Sequence, residues 1–215
     1  MKDNKSISAP VIKRLPRYYR FLGELLQSGV MRTSSRELSE KMGLTASQIR
    51  QDLNCFGGFG QQGYGYPVES LYREIGLILG LDKSYNTVLI GAGNLGKAVA
   101  LSMSFEKRGF HLAGIFDNDP RKLGEEIRGL KVKNTSELEQ FCTENNIQAA
   151  ILCIPKYAAP EIADRLYSIG IRSFWNFSHF DPSVKYKDII VENVHLNDSL
   201  MILCYKMTEN KAINS

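Results

Sequence analysis

The sequence predicts an α/β protein in two domains: a small helical one over residues 1–81, and an open, mostly parallel sheet with helices on both faces over residues 86–215. Three observations carry that prediction. A β-branched run, Thr87-Val88-Leu89-Ile90, stops abruptly at Gly91-Ala92-Gly93-Asn94-Leu95-Gly96, and small and apolar residues at helical spacing follow it (Ala98, Val99, Ala100, Leu101). Strand and helix patterns then alternate to the end of the chain. Ahead of the glycine turn, two helix-capping signals at close range mark a pair of short helices.

The bulk properties fit a packed chain. Hydrophobic residues make up 43% and charged residues 23% of the 215. The net charge of +4 is unevenly placed, with 12 Lys/Arg against 8 Asp/Glu up to Tyr85 and 15 of each beyond it. A positive excess confined to the first domain is the electrostatic signature of a polyanion binder. The four cysteines, Cys55, Cys142, Cys153 and Cys204, form no C-x-x-C pair and sit in apolar segments, so they are expected as buried free thiols in a reducing cytosol. No basic start with an apolar core occurs near Met1 and no run of 18 apolar residues occurs anywhere, which predicts a cytoplasmic protein with no membrane partner.

In the first domain, Ser8-Ala9-Pro10 opens a helix with Val11, Ile12 and Leu15 on one side, which Pro16 should interrupt. Helix resumes over residues 17–27 with Tyr18, Tyr19, Leu22, Leu25 and Leu26 apolar, and Gly29 stops it. Lys13, Arg14, Arg17 and Arg20 give this region a basic edge suited to phosphates. Ser34 with Glu37, and Thr45 with Gln48, cap two successive helices joined at Gly43-Leu44, a helix-turn-helix pattern. The second helix places Ile49, Leu53 and Phe56 inward, which leaves Ser47, Gln48, Arg50, Gln51 and Asn54 as an outward row. Arginine suits guanine, and glutamine or asparagine suits adenine, in the DNA major groove. The glycine-rich stretch at 56–67, including Gln61, Gln62, Gly63 and Tyr64, reads as a tight hairpin resembling the wing of winged-helix proteins. A helix over residues 68–81 closes the domain.

In the second domain, the strand His111-Leu112-Ala113-Gly114-Ile115-Phe116 runs into Asp117, 21 residues after Gly96. A Gly-x-Gly-x-x-Gly turn between strand and helix gives a tight bend, close backbone approach to a pyrophosphate and close helix packing. A carboxylate at the end of the second strand accepts hydrogen bonds from the adenosine ribose and repels a 2′-phosphate. Asp117 therefore favours NAD over NADP, with Arg121 and Lys122 pointing the other way. The alternation continues with Lys131-Val132, a helix over 136–143, a strand over 149–154, a helix over 160–169, strands over 172–177 and 189–191, and a helix over 198–207. That last helix contains six consecutive apolar residues, Leu200 to Tyr205. A helix that is apolar on every side must be covered on every side, so it is expected to insert into a partner subunit.

Arg50-Gln51-Asp52-Leu53, Phe56-Gly57-Gly58-Phe59-Gly60, Gly63-Tyr64-Gly65-Tyr66, the glycine turn at 91–96, Phe116-Asp117 and Asn176-Phe177 together resemble the Rex family of redox-sensing transcriptional repressors over nearly the whole chain. The resemblance implies a winged-helix domain, a Rossmann-like domain and an exchanged C-terminal helix. It also implies a homodimer that binds an inverted-repeat, double-stranded operator and is released by NADH, with NAD+ competing to weaker effect. Position by position, it places Ser47, Gln48 and Arg50 on the recognition helix, residues 60–66 on the wing, and Gly91 to Gly96 with Asp117 on the cofactor. The chain departs from many members at Gln51, where they carry Lys, and at Gln62, where they carry Arg, so the wing is less basic and operator preference is open. Some members also carry a Tyr in the helix after the glycine turn, where this chain reads Val99-Ala100-Leu101-Ser102. A closed apolar pocket prefers NADH because the oxidised nicotinamide carries a positive charge. Pro155, Phe177 and the partner's last helix are the expected walls. Two rival readings remain, an NAD-dependent dehydrogenase and a CoA-binding module. The first lacks a following substrate domain, and its candidate acid/base groups, His111, His179 and His195, have no evident partner.

Overall fold

The centre of the second unit is β3 (Tyr85–Ile90), whose run of four buried residues is covered on both faces. The structure, a computed structural model, describes residues 7–55 and 65–213. It divides into two units, Met1–Lys83 and Ser84–Ser215.

In the first unit, α1 (Ala9–Gln27) runs unbroken through Pro16. The expected interruption does not occur because Pro16 and Ile12, whose carbonyl loses its hydrogen-bond donor, both lie on the solvent side. The strand β1 (Arg32–Thr33) leads into α2 (Ser35–Met42). Here the Glu37 N–H donates to Ser34 Oγ at 3.1 Å and the Ser34 N–H donates to Glu37 Oε2 at 2.7 Å, a reciprocal cap. Gly43 ends α2 in a left-handed conformation at φ 60°, and Thr45 caps α3 (Ala46–Asn54) by accepting from the Gln48 N–H. Leu15, Tyr18, Leu22, Leu38, Met42, Ile49, Leu53, Leu71 and Ile75 form one core beneath these helices and α4 (Val68–Ile78). β2 (Tyr66–Pro67) pairs antiparallel with β1, a strand that the sequence did not announce. Residues 56–64, on which the expected hairpin falls, lie outside the described residues.

In the second unit, α5 (Asn94–Ser102), β4 (Phe110–Asp117), β5 (Glu126–Ile127), β6 (Leu130–Asn134), α6 (Leu138–Glu144), β7 (Ala149–Leu152), α7 (Ala159–Ser168), β8 (Ser173–Asn176), β9 (Ile190–Asn193) and α8 (Leu196–Ile213) follow β3. The sheet order is β5-β6-β4-β3-β7-β8-β9, parallel throughout except for the edge strand β5. Val88, Ile90, Phe116, Ala150 and Leu152 pack on one face with Leu138, Ile162 and Leu166 from α6 and α7. Leu89, Ile115 and Ile151 pack on the other with Val99 and Ala100 from α5. The crossover from β8 to β9 carries only a single 3₁₀ turn, Pro182–Val184. An apolar hollow of about 480 Å³ is left over this second face, lined by Met103, Phe105, Ile151, Trp175 and Ile190.

α8 is exposed along its described side chains, with Leu200 at 64%, Met201 at 63% and Leu203 at 52%. Its apolar character therefore finds no cover within the chain. Among the described residues no helix is long and apolar enough to cross a membrane. The cysteine expectation holds for Cys142, which is buried, and in part for Cys153, but Cys55 and Cys204 are exposed. Burial pushes the Cys142 and Cys153 thiols up to about 12, which leaves both protonated and unreactive near neutrality.

Candidate functional site

The strand order reverses at β3, between β4 and β7, and open α/β sheets bind ligands beyond the carboxyl ends of the strands at such a point. A cleft of about 480 Å³ lies there. Gly91, Gly93, Asn94, Leu95, Asp117, Pro155 and Tyr157 are in its walls, with Asn118, Asp119, Lys122, Thr135, Cys153, Ile154, Ala158, Glu161, Ile162 and Arg165.

Two of the three glycines of the turn tolerate nothing larger. Gly91 has φ 101°, and a Cβ there would press on the Cys153 carbonyl; a Cβ on Gly96 would overlap the Gly91 carbonyl oxygen. Gly96 is thus the contact that lets α5 meet the strand end, and it is buried rather than in the cleft wall. A Cβ on Gly93 would meet nothing within 4 Å, so this residue faces the open cleft. No side chain caps the N-terminus of α5, which leaves its first N–H groups for an anion.

Asp117 holds the turn. Its Oδ2 accepts from the Ala92 N–H at 2.7 Å and from Lys122 Nζ at 3.0 Å, and its Oδ1 accepts from the Asp119 N–H at 2.8 Å. Burial alone would push this carboxyl up, but the Asp119 N–H, the Lys122 ammonium and the Ala92 N–H together hold it below the usual carboxylate range. Ala92 is buried and contributes through its backbone. Phe177 is not in the cleft wall: its ring lies edge-on to Trp175, 4.7 Å between centroids, against the α5-side core. Of the expected wall residues, the single chain sets Pro155 in this cleft and Phe177 against the α5-side core. The sequence reading missed Asn118, Asp119 and Arg165, and it took Lys122 only as a sign against NAD, although loops after parallel strand ends are where such residues collect.

On α3, Ser47, Arg50, Gln51 and Asn54 are exposed, as the outward row requires. Gln48 is not free, because its Nε2 donates to Asp52 Oδ1 at 2.9 Å. Arg14 is spent in the same way: Nε and Nη2 each donate to Asp52 at 2.7 Å, and the Tyr18 hydroxyl donates to Asp52 Oδ2 at 2.8 Å. Both expected DNA contacts are thus engaged at Asp52: Arg14 ties α1 to α3, and Gln48 braces the same carboxylate from one turn earlier within α3. The signal for Gln48 was in the sequence, since Asp52 follows it at i+4. Burial alone would push the Asp52 carboxyl up, but Arg14, Gln48 and Tyr18 hold it low. Gln61, Gln62, Gly63 and Tyr64 lie outside the described residues. His179 and His195 stack on each other with centroids 5.7 Å apart, and neither enters the cleft wall.

A helix-turn-helix unit with an exposed polar row, joined to a Rossmann-like unit with a glycine-turn cleft, defines the class of ligand-responsive transcription regulators. A family model described as "Putative DNA-binding protein N-terminus" matches residues 6–54, and one described as "CoA binding domain" matches residues 82–180. The chain is 57% identical to the redox-sensing transcriptional repressor Rex of Thermoanaerobacter pseudethanolicus, over 98% of this chain and 94% of that one. It is 54% identical to Rex of Clostridioides difficile, over 98% and 100%. Among solved structures, the repressor RSP in complex with NADH matches with a TM-score of 0.89 at 54% identity, over 98% of both chains. RSP with NAD+ and operator DNA matches at 0.87 and 57% identity, over 97% of this chain and 95% of that one. The chain belongs to the Rex family of redox-sensing transcriptional repressors. These relatives are named as repressors and not as enzymes.

Proposed function

We propose that this protein represses transcription by binding operator DNA as a homodimer and lets go when NADH fills the cleft. The observation that carries this reading is the Asp117 carboxylate, buried beside the glycine turn yet in the cleft wall, at the place where an adenosine ribose presents its hydroxyls. Gly91, Gly93, Asn94 and Leu95 follow the pyrophosphate, Ala92 and Gly96 hold the turn's shape, and Pro155 borders the nicotinamide end. Ser47, Arg50, Gln51 and Asn54 face the major groove, with Gln61, Gln62, Gly63 and Tyr64 as the wing. Arg14 and Gln48 leave the contact set for the reason given above.

Two unpartnered apolar surfaces, α8 and the hollow beside Trp175, support a dimer in which each chain covers the other. Such a closed, dry pocket disfavours the charged nicotinamide of NAD+. Closing the dimer over NADH resets the spacing of the two recognition helices, which must match half-sites about 34 Å apart or a multiple of that. Moving a two-state dimer from 1:99 to 99:1 takes about 10⁴-fold preferential binding, so two sites need only about 100-fold each. NAD(H) and operator DNA meet in the cytoplasm, where the protein works.

The test is a gel shift on a pool of palindromic operators with NADH, with NAD+ and with neither. Selective loss of the shifted band with NADH is expected; equal bands in all three lanes contradict the reading. The CoA-binding description of the second family model favours one alternative occupant of the cleft. Competition settles it, because CoA that displaces NADH at equal concentration would make CoA the ligand.

A further inference from the structure

Both residue types that decide between the two nicotinamide dinucleotides follow the second strand: Asp117, Asp119 and Lys122 line the cleft, and Arg121 lies just outside its wall. A carboxylate at the end of the second strand suits a ribose 2′-hydroxyl, and a nearby arginine suits a 2′-phosphate. Here Asp117 is followed by Asp119, Arg121 and Lys122 in a single turn. What matters is then which of the two cations is free to meet a ligand.

Neither of them is. Lys122 Nζ lies 3.0 Å from Asp117 Oδ2. Arg121 closes a fork on Asp119: Nε donates to Oδ1 at 3.0 Å and Nη2 to Oδ2 at 2.8 Å, while the Arg121 backbone N–H donates to Oδ1 at 3.1 Å. A planar guanidinium matched to both oxygens of a carboxylate has used the geometry with which it would otherwise grip a phosphate. Asp119 is itself in the cleft wall, whereas Arg121, 88% exposed in its side chain, lies outside that wall with Asp119 as the partner of its guanidinium.

Resting on the reading of the cleft as a dinucleotide site, we propose that Asp119 is the residue that shuts it to a 2′-phosphorylated ribose, by holding Arg121 in this fork and setting a second carboxylate beside Asp117. A 2′-phosphate brings about two negative charges. It meets two carboxylates and two cations that already have partners. The Arg121 side chain and then its backbone N–H draw the Asp119 carboxyl down to about 2, so the fork is fully ionised at every physiological pH. The side-chain hydrogen bonds of Asp119 seen among the described residues go to Arg121, whereas Asp117 accepts from Ala92 in the glycine turn. Selectivity can therefore be altered at Asp119 with the turn left intact.

The experiment titrates the full chain with NADH and with NADPH and reads nicotinamide fluorescence. The chains compared are the native one, Asp119→Asn, and Asp119→Asn combined with Arg121→Ala. The native chain is expected to favour NADH. Asp119→Asn tightens NADPH by about tenfold or more and leaves NADH within about threefold, the scale of one hydrogen bond to a charged group. Adding Arg121→Ala removes the gain. If the native chain binds NADH but the NADPH to NADH ratio in Asp119→Asn stays within about twofold of native, or the gain survives without Arg121, this proposal fails alone. A native chain that binds neither dinucleotide overturns it together with the reading of the cleft.

Discussion

The glycine turn and the terminal helix are both apolar, glycine-or-aliphatic stretches, and they stand at opposite extremes. At 91–96 the chain is closed on itself: Ala92 is bonded to Asp117, Gly96 abuts the Gly91 carbonyl, and the strand beneath is buried on both faces. At α8, Leu200, Met201, Ile202, Leu203 and Tyr205 are all more than half exposed. The first region carries its function in contacts it already makes, and the second in contacts it lacks. A site for a small ligand is legible in one chain, whereas a site for a second copy shows only as burial left unmade.

The largest effect is expected where the contrast is sharpest. Full burial of a leucine is worth about 1.5–3 kcal/mol, and a carboxylate in its place carries a larger desolvation cost. Leu200→Asp with Leu203→Asp should thus yield monomers by light scattering at micromolar concentration with the far-ultraviolet dichroism unchanged. A dimer of native mass would remove α8 from the interface.

Asp52 gives the next largest effect and applies the same contrast to charge. Removing one member of a buried pair costs about 3–5 kcal/mol, so Asp52→Ala should lower the urea midpoint of the first unit clearly. Its carboxyl is held below the ordinary value. The stabilisation is therefore fully present above about pH 4 and is lost as the pH falls through the lower folded value. Native protein should weaken between pH 5 and pH 2, and Asp52→Asn should flatten that slope. Equal slopes for the two proteins would mean that Asp52 is not the group responsible.

Gly96→Ala comes third. An added methyl on a packed backbone costs about 1–3 kcal/mol or more. It should be felt at the turn, as weaker NADH binding in calorimetry, with dimer mass and operator binding retained. Native NADH affinity in this variant would mean that α5 can back away from the strand without consequence. The smallest changes separate the two units. Asp117→Ala should weaken NADH binding about 10- to 100-fold and spare the operator, and Arg50→Ala should cost about 1–3 kcal/mol of operator affinity and spare NADH. A crossed result in either variant, read by fluorescence and gel shift, breaks the assignment.

Much of the α/β order was legible because short β-branched runs that stop at glycine, such as Thr87 to Ile90 before Gly91, alternate with segments of helical period. The glycine turn and Asp117 were legible because their spacing is set by a backbone geometry. The edge strands β1 and β5 were not, since two residues carry no periodicity. Pro16 misled because Ile12, whose carbonyl loses its donor, was read on the apolar side and in fact faces water. Residue type suggests what a side chain can bind: the i,i+4 spacing already offered Asp52 to Gln48, but only the fold shows that Asp52 also takes Arg14, 38 residues away. Asp119 and Arg121 had the same ambiguity, a carboxylate and a guanidinium two residues apart whose pairing is decided by the turn.

The most direct test of the account measures operator affinity at fixed salt while the NADH to NAD+ ratio is raised at constant total dinucleotide. Affinity should fall steeply as NADH replaces NAD+, and the Asp117→Ala protein should show no such fall. An operator affinity that stays flat across the whole titration of the native protein would contradict it.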